Sequence, residues 1–343
     1  MSYKKWLLST MVLCMTPLIL IGGFNLFMDP LWMFSHSHKY NHIQESFNER
    51  QQKLNKIAYT DVEFDTLLLG SSRTTYINED EFKGHKAFNF AASGMSVQEY
   101  SPYIEFINEK RGKKVKTIIL GLDFFATAEN RKIENPNTYI RNVKDITYPL
   151  KTLLSYETFS TYSLANFEAS YYGRNQFKRN YSRENTAVPK ENSESKKMKI
   201  NDTVETYKRH VYGETYRYNK NYKNLLSELK RSNPDVRFIV FTTPVSAPLY
   251  KTMIESGRFA DYEHWLRDVT SVFGEVYHFM YPNTITNSSD SFYDGHHFYP
   301  EVGELIAHKV SGQPDPSIPG DFGMVLTKEN LRESVRTIKG KGR

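Results

Sequence analysis

The chain has 343 residues, of which 39% are apolar and 14% aromatic, enough to bury one sizeable hydrophobic core. Its formal net charge is +6, but five basic residues lie at the two ends of the chain, and without them the charge falls to about +1. The body therefore lacks the basic surface that nucleic-acid binding requires, and no nucleic-acid partner is predicted.

An uncharged apolar stretch runs from Trp6 to Met28 behind Lys4 and Lys5. As a helix it would reach roughly 34 Å, enough to cross a bilayer core. A cleaved signal peptide is the alternative, but cleavage needs a small-residue site, and the first alanine of the chain is Ala58. Residues 1–28 are therefore predicted to be a cytoplasmic stub and a single transmembrane anchor, with the rest of the chain outside the cytoplasm.

Cysteine usage limits the chemistry of the exported part. Cys14 is the only cysteine and falls inside the apolar stretch, which excludes disulfides, thiol catalysis and zinc–thiolate sites elsewhere. An exported chain without disulfides indicates the envelope of a bacterium, with the protein held in the cytoplasmic membrane.

After a polar stretch at 29–61, interpreted as a loosely packed stalk, the sequence alternates between strands and helices. Apolar runs bounded by small residues predict five strands, at 66–69, 86–91, 115–122, 237–242 and 275–280. Helical spacing predicts helices from Ser96 towards Gly112 and at 216–229, 247–255, 259–273 and from Pro300. Strands alternating with helices indicate an α/β fold with a five-stranded parallel sheet.

The predicted α/β domain spans residues 62–311, and residues 312–343 are interpreted as a C-terminal tail. A polar insertion at about 125–215 interrupts the domain. Its segment 173–199 carries eight basic residues against three acidic ones, which is typical of a solvated loop. A mobile lid over the site is the alternative for this segment.

Four polar elements follow predicted strands and should meet at one edge of the sheet, because the carboxyl ends of parallel strands share that edge. They are the turn at Ser72, the turn at Gly94, Asp123, and the loop that carries Asp294 and His297. A serine hydroxyl needs a histidine base and an orienting carboxylate to become a nucleophile. Ser72, His297 and Asp294 are thus the candidate catalytic residues.

These residues resemble the SGNH, or GDSL-like, hydrolases and acyltransferases. Gly70-Ser71-Ser72 is similar to the family's Gly-Asp-Ser block, Asn89 to Gly94 to its second block, and Asp294-x-x-His297 to its terminal block. The resemblance covers roughly residues 62–311 and implies a flavodoxin-like three-layer α/β/α fold. It also implies an oxyanion hole formed by the N–H groups of Ser72 and Gly94, with Asn89 as a further candidate donor.

The third block departs from the family pattern. Where the family has Gly-x-Asn-Asp, this chain has Gly121-Leu122-Asp123, and an ionised Asp123 would repel an oxyanion. Arg73, Asp123 and His296 are candidate substrate contacts, with an ion-pair role as the alternative for Arg73. His296 and His297, beside Asp290 and Asp294, are also ordinary metal ligands, but neither a second histidine pair nor an HExxH helix completes a site. No metal or other cofactor is predicted.

The anchor together with these blocks most resembles the bacterial extracytoplasmic branch that includes the DltD-like and the alginate- or peptidoglycan-acetylation proteins. That resemblance implies a serine esterase or O-acyltransferase acting on a cell-surface glycan beside a membrane-bound O-acyltransferase. The alternative is a catalytically weak glycan-binding or scaffold subunit of a polysaccharide machine, which the aspartate at position 123 favours.

Overall fold

A computed structural model describes residues 2–174, 179–189 and 195–342. Residues 175–178 and 190–194 of the predicted polar segment 173–199 lie outside the described residues. The helices are α1 (Tyr3–Met28), α2 (Glu49–Tyr59), α3 (Val97–Arg111), α4 (Pro136–Lys144), α5 (Tyr148–Leu153), α6 (Leu164–Tyr172), α7 (Lys196–Thr206), α8 (Tyr222–Arg231), α9 (Ala247–Glu255), α10 (Phe259–Phe273), α11 (Pro300–Val310) and α12 (Leu331–Lys341). The strands are β1 (Ile43–Gln44), β2 (Thr66–Leu69), β3 (Ala87–Asn89), β4 (Thr117–Leu122), β5 (Arg179–Ser182), β6 (Ala187–Pro189), β7 (Arg237–Thr242), β8 (Val276–His278) and β9 (Met324–Leu326).

The chain divides into two compact units. Unit 1 combines Met1–Val62 with Pro136–Glu184, and unit 2 combines Glu63–Asn135 with Asn185–Arg343. The middle of the predicted insertion thus belongs to the same unit as the predicted anchor and stalk, and its two ends belong to the unit that contains the sheet.

A six-stranded, mostly parallel sheet lies at the centre of unit 2, in the order β3-β2-β4-β7-β8-β9. The five strands from β3 to β8 are parallel, and β9 is antiparallel to β8. Every residue of β2 and β4 is buried, as expected for parallel strands covered on both faces. The mixed α/β architecture predicted from the sequence is confirmed, but the sheet has six strands rather than five.

The local signals that predicted the helices of unit 2 are present in the structure. Ser96 precedes α3 and its backbone N–H donates to Glu99 Oε1 at 3.1 Å, while Gly112 ends the helix with φ +63°. Pro300 occupies the first turn of α11, where its missing N–H costs no hydrogen bond.

Residues 312–343, interpreted from the sequence as a tail, belong to unit 2. They supply β9 at the edge of the sheet, the fully buried ring of Phe322, and α12, which buries Val335 and Ile338. The prediction failed here because β9 has only three residues, too few for an alternating pattern to be recognised.

The interpretation of 29–61 as a loosely packed stalk is also wrong, because α2 lies there and is largely buried. Its buried side chains are mostly polar and are hydrogen-bonded within unit 1: Gln52 Nε2 donates to Pro30 O at 2.8 Å, and Asn55 Nδ2 donates to Leu31 O at 2.9 Å. Apolar spacing cannot reveal a helix that is buried through polar contacts.

The N-terminal helix α1 has 26 residues and a mean hydropathy of 2.0 over its most apolar window, so it is long and apolar enough to cross a membrane. At its C-terminal end Asp29 adopts a left-handed conformation and its side chain accepts a hydrogen bond from Met33 N at 2.7 Å. The helix therefore ends at a defined point inside unit 1.

Candidate active site

The serine turn follows directly from the end of β2. A Cβ on Gly70 would lie 2.1 Å from Thr74 Oγ1, so only glycine fits at the start of the turn. Thr74 N donates to Ser71 O at 3.1 Å, and Thr75 Oγ1 donates to Ser72 O at 2.6 Å. These bonds fix the backbone around Ser72, whose side chain is half-buried at the carboxyl edge of the sheet.

The loop after β8 brings a histidine and an aspartate to this serine. His297 Nε2 lies 2.9 Å from Ser72 Oγ, and His297 Nδ1 lies 2.9 Å from Asp294 Oδ2. The other carboxylate oxygen of Asp294 accepts hydrogen bonds from the backbone N–H groups of His297 at 2.8 Å and His296 at 3.2 Å. Three residues that are distant in sequence thus form one hydrogen-bonded chain.

Electrostatic interactions determine which atoms of Asp294, His297 and Ser72 carry protons. Burial by itself would raise the pKa of Asp294, but the positive charge available on His297 and His296, with hydrogen bonds from His297, holds that pKa well below its ordinary value. An ionised carboxylate only accepts hydrogen bonds, so Nδ1 of His297 carries the proton. Nε2 is then the acceptor for the hydroxyl proton of Ser72, as nucleophilic catalysis requires.

A second turn, after β3, lies against the serine turn. Ala92 N donates to Gly70 O at 3.2 Å, and Met95 N donates to Ala92 O at 3.1 Å. Gly94 has φ +61° at the third position of that turn, which is the position where a type II turn requires glycine. Ser72 and Gly94, the predicted oxyanion donors, therefore lie on two turns joined by a backbone hydrogen bond.

Asn89 does not serve as the further oxyanion donor that the sequence suggested. Its side chain is fully buried, and Nδ2 donates to Thr74 O at 3.0 Å and to Ile77 O at 2.9 Å. Its Oδ1 accepts from Ala91 N at 3.0 Å. Both amide hydrogens are used, so Asn89 ties the end of β3 to the helical turn that follows the serine.

Arg73 and Asp123 form a buried ion pair rather than two substrate contacts. Arg73 Nη1 lies 3.1 Å from Asp123 Oδ1, and the two side chains are 0% and 2% exposed. Thr243 Oγ1 also donates to Asp123, and Arg73 Nη2 donates to Tyr207 OH at 3.1 Å. The guanidinium neutralises the carboxylate that, unpaired, would have repelled an oxyanion.

Two residues near the site were not singled out from the sequence, although both lie within the predicted insertion. The Tyr207 ring centroid is 5.3 Å from that of His296, so the tyrosine connects Arg73 to the loop that carries Asp294 and His297. Arg131 Nη2 donates to Gly94 O at 3.1 Å, and its guanidinium lies 4.6 Å from the ring centroid of Phe125. No local motif marks either residue, because each reaches the site only through the tertiary fold.

His296 lies beside His297, with ring centroids 3.8 Å apart, and its side chain is 22% exposed. It is thus at the accessible side of the site, where the predicted substrate contact would be made. Asp294, His296 and His297 each offer a metal-ligand atom within 4.8 Å of the others. A metal bound there would have to displace the hydrogen bonds that join His297 to Asp294 and Ser72. Asp290, the other candidate ligand, is instead 3.3 Å from Lys196 Nζ.

The site lies at the carboxyl ends of parallel strands, beside β2 and β4, between which the strand order reverses. Open α/β sheets bind their ligands at this switch point. Comparison with known protein families, curated proteins and solved structures finds no match for this chain. The arrangement itself can activate a serine hydroxyl by proton transfer to an oriented imidazole.

Proposed function

We propose that this protein is a serine esterase or O-acyltransferase of the SGNH type, with the three-layer flavodoxin-like fold of that family. The observation that carries the proposal is the hydrogen-bonded chain from Asp294 through His297 to Ser72 Oγ. The order of the five parallel strands, 2-1-3-4-5 in chain sequence, supports the flavodoxin-like assignment.

In the proposed reaction Ser72 Oγ attacks an ester carbonyl while its proton passes to His297 Nε2. The N–H groups of Ser72 and Gly94 stabilise the oxyanion of the tetrahedral intermediate. Collapse of that intermediate breaks the ester C–O bond, and the imidazolium protonates the departing alcohol. A glycan hydroxyl or water then attacks the acyl-serine, with His297 again accepting the proton, and this second step regenerates the free enzyme.

The location proposed for this chemistry is the outer face of a bacterial cytoplasmic membrane. Helix α1 would be the single anchor, since it is long and apolar enough to span the bilayer. Lys4 and Lys5 precede its apolar part and would hold the N-terminus in the cytoplasm. The substrate class is then an acylated or acyl-accepting cell-surface glycan, with a membrane-bound O-acyltransferase as the partner that supplies acyl groups.

The aspartate in the third block favours the alternative, a catalytically weak glycan-binding or scaffold subunit. The ion pair between Arg73 and Asp123 weakens that reasoning, because the negative charge is compensated inside the protein. The scaffold remains the competing outcome of the test.

The test is pre-steady-state hydrolysis of p-nitrophenyl acetate by the full-length protein in detergent. An acyl-serine mechanism predicts a burst of about one p-nitrophenol per protein molecule, followed by slower turnover. Ser72→Ala should abolish the burst, and Ser71→Ala is the control at the neighbouring hydroxyl. A wild-type protein that gives no burst, or a burst that survives Ser72→Ala, would favour the scaffold.

A further inference from the structure

Unit 1 carries an exposed apolar and aromatic surface around the last turns of α1. We call it the collar. Its exposed side chains are Ile146, Leu150, Leu154, Tyr156, Tyr171 and Tyr172. Ile146 is 95% exposed, Tyr156 68% and Leu150 60%, and a cluster of this kind on a soluble surface marks a binding face.

The collar is fixed to α1 by specific contacts. Leu154 Cδ2 lies 3.2 Å from the place of a Cβ on Gly22, so the missing side chain lets α5 approach the helix closely. Asn25 Nδ2 donates to Leu153 O at 2.8 Å and to Ser155 O at 3.1 Å, which satisfies carbonyls at the end of α5. The end of α5, where Leu154 of the collar lies, therefore has a fixed height along α1.

That height can be compared with the thickness of a bilayer. If Trp6 marks the inner boundary of the hydrocarbon, a rise of 1.5 Å per residue places Gly22 about 24 Å and Asn25 about 28 Å further along. The hydrocarbon core is about 30 Å thick. The contacts of the collar with α1 thus fall at the outer boundary of the hydrocarbon, not beyond it.

The aromatic content of the surface matches that height. Phe24 of α1 packs edge-on against Phe159 with ring centroids 5.5 Å apart, and Tyr171 stacks on Phe167 at 5.4 Å. Tyrosines concentrate at membrane–water interfaces, because the ring is apolar and the hydroxyl can hydrogen-bond to water. Asn25 is itself buried and bonded to protein, as a polar group at this depth must be.

We infer that the collar lies in the outer interface of the same bilayer that α1 crosses, with lipid as its occupant. The inference rests on the proposed anchor, since the height of the collar is measured along that helix. The apolar side chains enter the acyl region and the tyrosines lie among the headgroups, so unit 1 contacts the membrane surface directly.

Spin labelling of the full-length protein in phosphatidylethanolamine–phosphatidylglycerol vesicles tests this. Cys14→Ser removes the native thiol, and single cysteines are placed at Ile146, Leu150 and Tyr156, all exposed positions where a label does not disturb a core. Nitroxide collision rates with oxygen, which concentrates in lipid, are compared with those of a water-soluble nickel chelate. Leu13→Cys in the middle of α1 is the lipid reference, and Lys223→Cys on the polar surface of α8 is the water reference.

The collar labels should resemble Leu13 in favouring oxygen over nickel, with a ratio at least several-fold above that at Lys223. Collar labels that behave like Lys223, while Leu13 remains in lipid, would overturn the inference and leave the anchor intact. A label at position 13 that collides readily with the nickel chelate would instead show that α1 does not lie in lipid, and would refute the proposed membrane anchor. Collar labels shielded from both reagents would assign the surface to a protein contact, such as a second copy, and would also overturn the inference.

Discussion

Removing the charge of Asp123 should destabilise the protein strongly, because it leaves the Arg73 guanidinium buried without a counter-charge. The two side chains are 0% and 2% exposed, and the contact is 3.1 Å long. Breaking a buried pair by removing one partner costs about 3–5 kcal/mol. Arg73 would keep its hydrogen bonds to Thr243 and Tyr207, so we expect Asp123→Asn to cost about 3 kcal/mol, the lower end of that range.

The measurement is urea unfolding of the full-length protein in detergent, followed by tryptophan fluorescence, to which Trp265, fully buried in unit 2, contributes. Asp235→Asn is the matched control, because its ion pair with Lys114 is similarly long at 3.4 Å but the side chains are 69% and 77% exposed. We expect that control to change the unfolding free energy by less than about 0.5 kcal/mol.

A double-mutant cycle then separates the ion pair from other effects. Arg73→Met combined with Asp123→Asn should cost less than the sum of the single changes, with a coupling of about 2 kcal/mol. Coupling near zero, or an Arg73→Met variant as stable as the wild type, would refute the ion-pair interpretation. Arg73 would then be available for a substrate anion.

Removing the base with His297→Ala should lower the rate of acyl-serine formation by about 10²–10⁴-fold, and Asp294→Asn should do the same through loss of the correct tautomer, both read from the p-nitrophenol burst. Gly94→Ala and Gly84→Ala should each cost about 1–2 kcal/mol in urea unfolding, because both glycines have positive φ, but only the change at Gly94 should slow the burst. Burial lowers the pKa of His278 to about 3, so its stabilising contribution is present above pH ~6.5 and is lost as pH falls from there towards 3. The free energy of unfolding, measured by urea titration, should therefore fall by about 2 kcal/mol between pH 7 and pH 5. The fall should be smaller in His278→Gln. Equal rates in both glycine variants, or identical pH slopes, would contradict these expectations.

The parts of unit 2 that could be predicted are those whose signal is local. The bounds of β2, α9 and α10 in the structure equal those read from apolar runs and helical spacing. The proximity of Ser72 to the loop that carries His297 could be predicted in the same way, because residues that follow the ends of parallel strands lie at one edge of the sheet. Ser72 and His297 are 225 positions apart and still meet within hydrogen-bond distance.

The remainder depends on contacts that no local pattern encodes. Helix α2 is buried through amides and charged groups, so its apolar spacing is too sparse to detect. Strand β9 is recognisable only when β8 is already in place beside it. Tyr207, 134 positions further along the chain, accepts a hydrogen bond from Arg73. Arg73 and Asp123, both candidate substrate contacts from the sequence, instead form an ion pair with each other.

Intact-mass analysis after treatment with a fluorophosphonate tests most directly whether Ser72 is a nucleophile activated by His297. The wild-type protein should gain one phosphonyl adduct, mapped to Ser72 by peptide sequencing. His297→Ala should react far more slowly, and Ser72→Ala should gain no adduct. A wild-type protein that stays unmodified under conditions that fully label a control serine hydrolase, or an adduct that persists in Ser72→Ala, would contradict the claim.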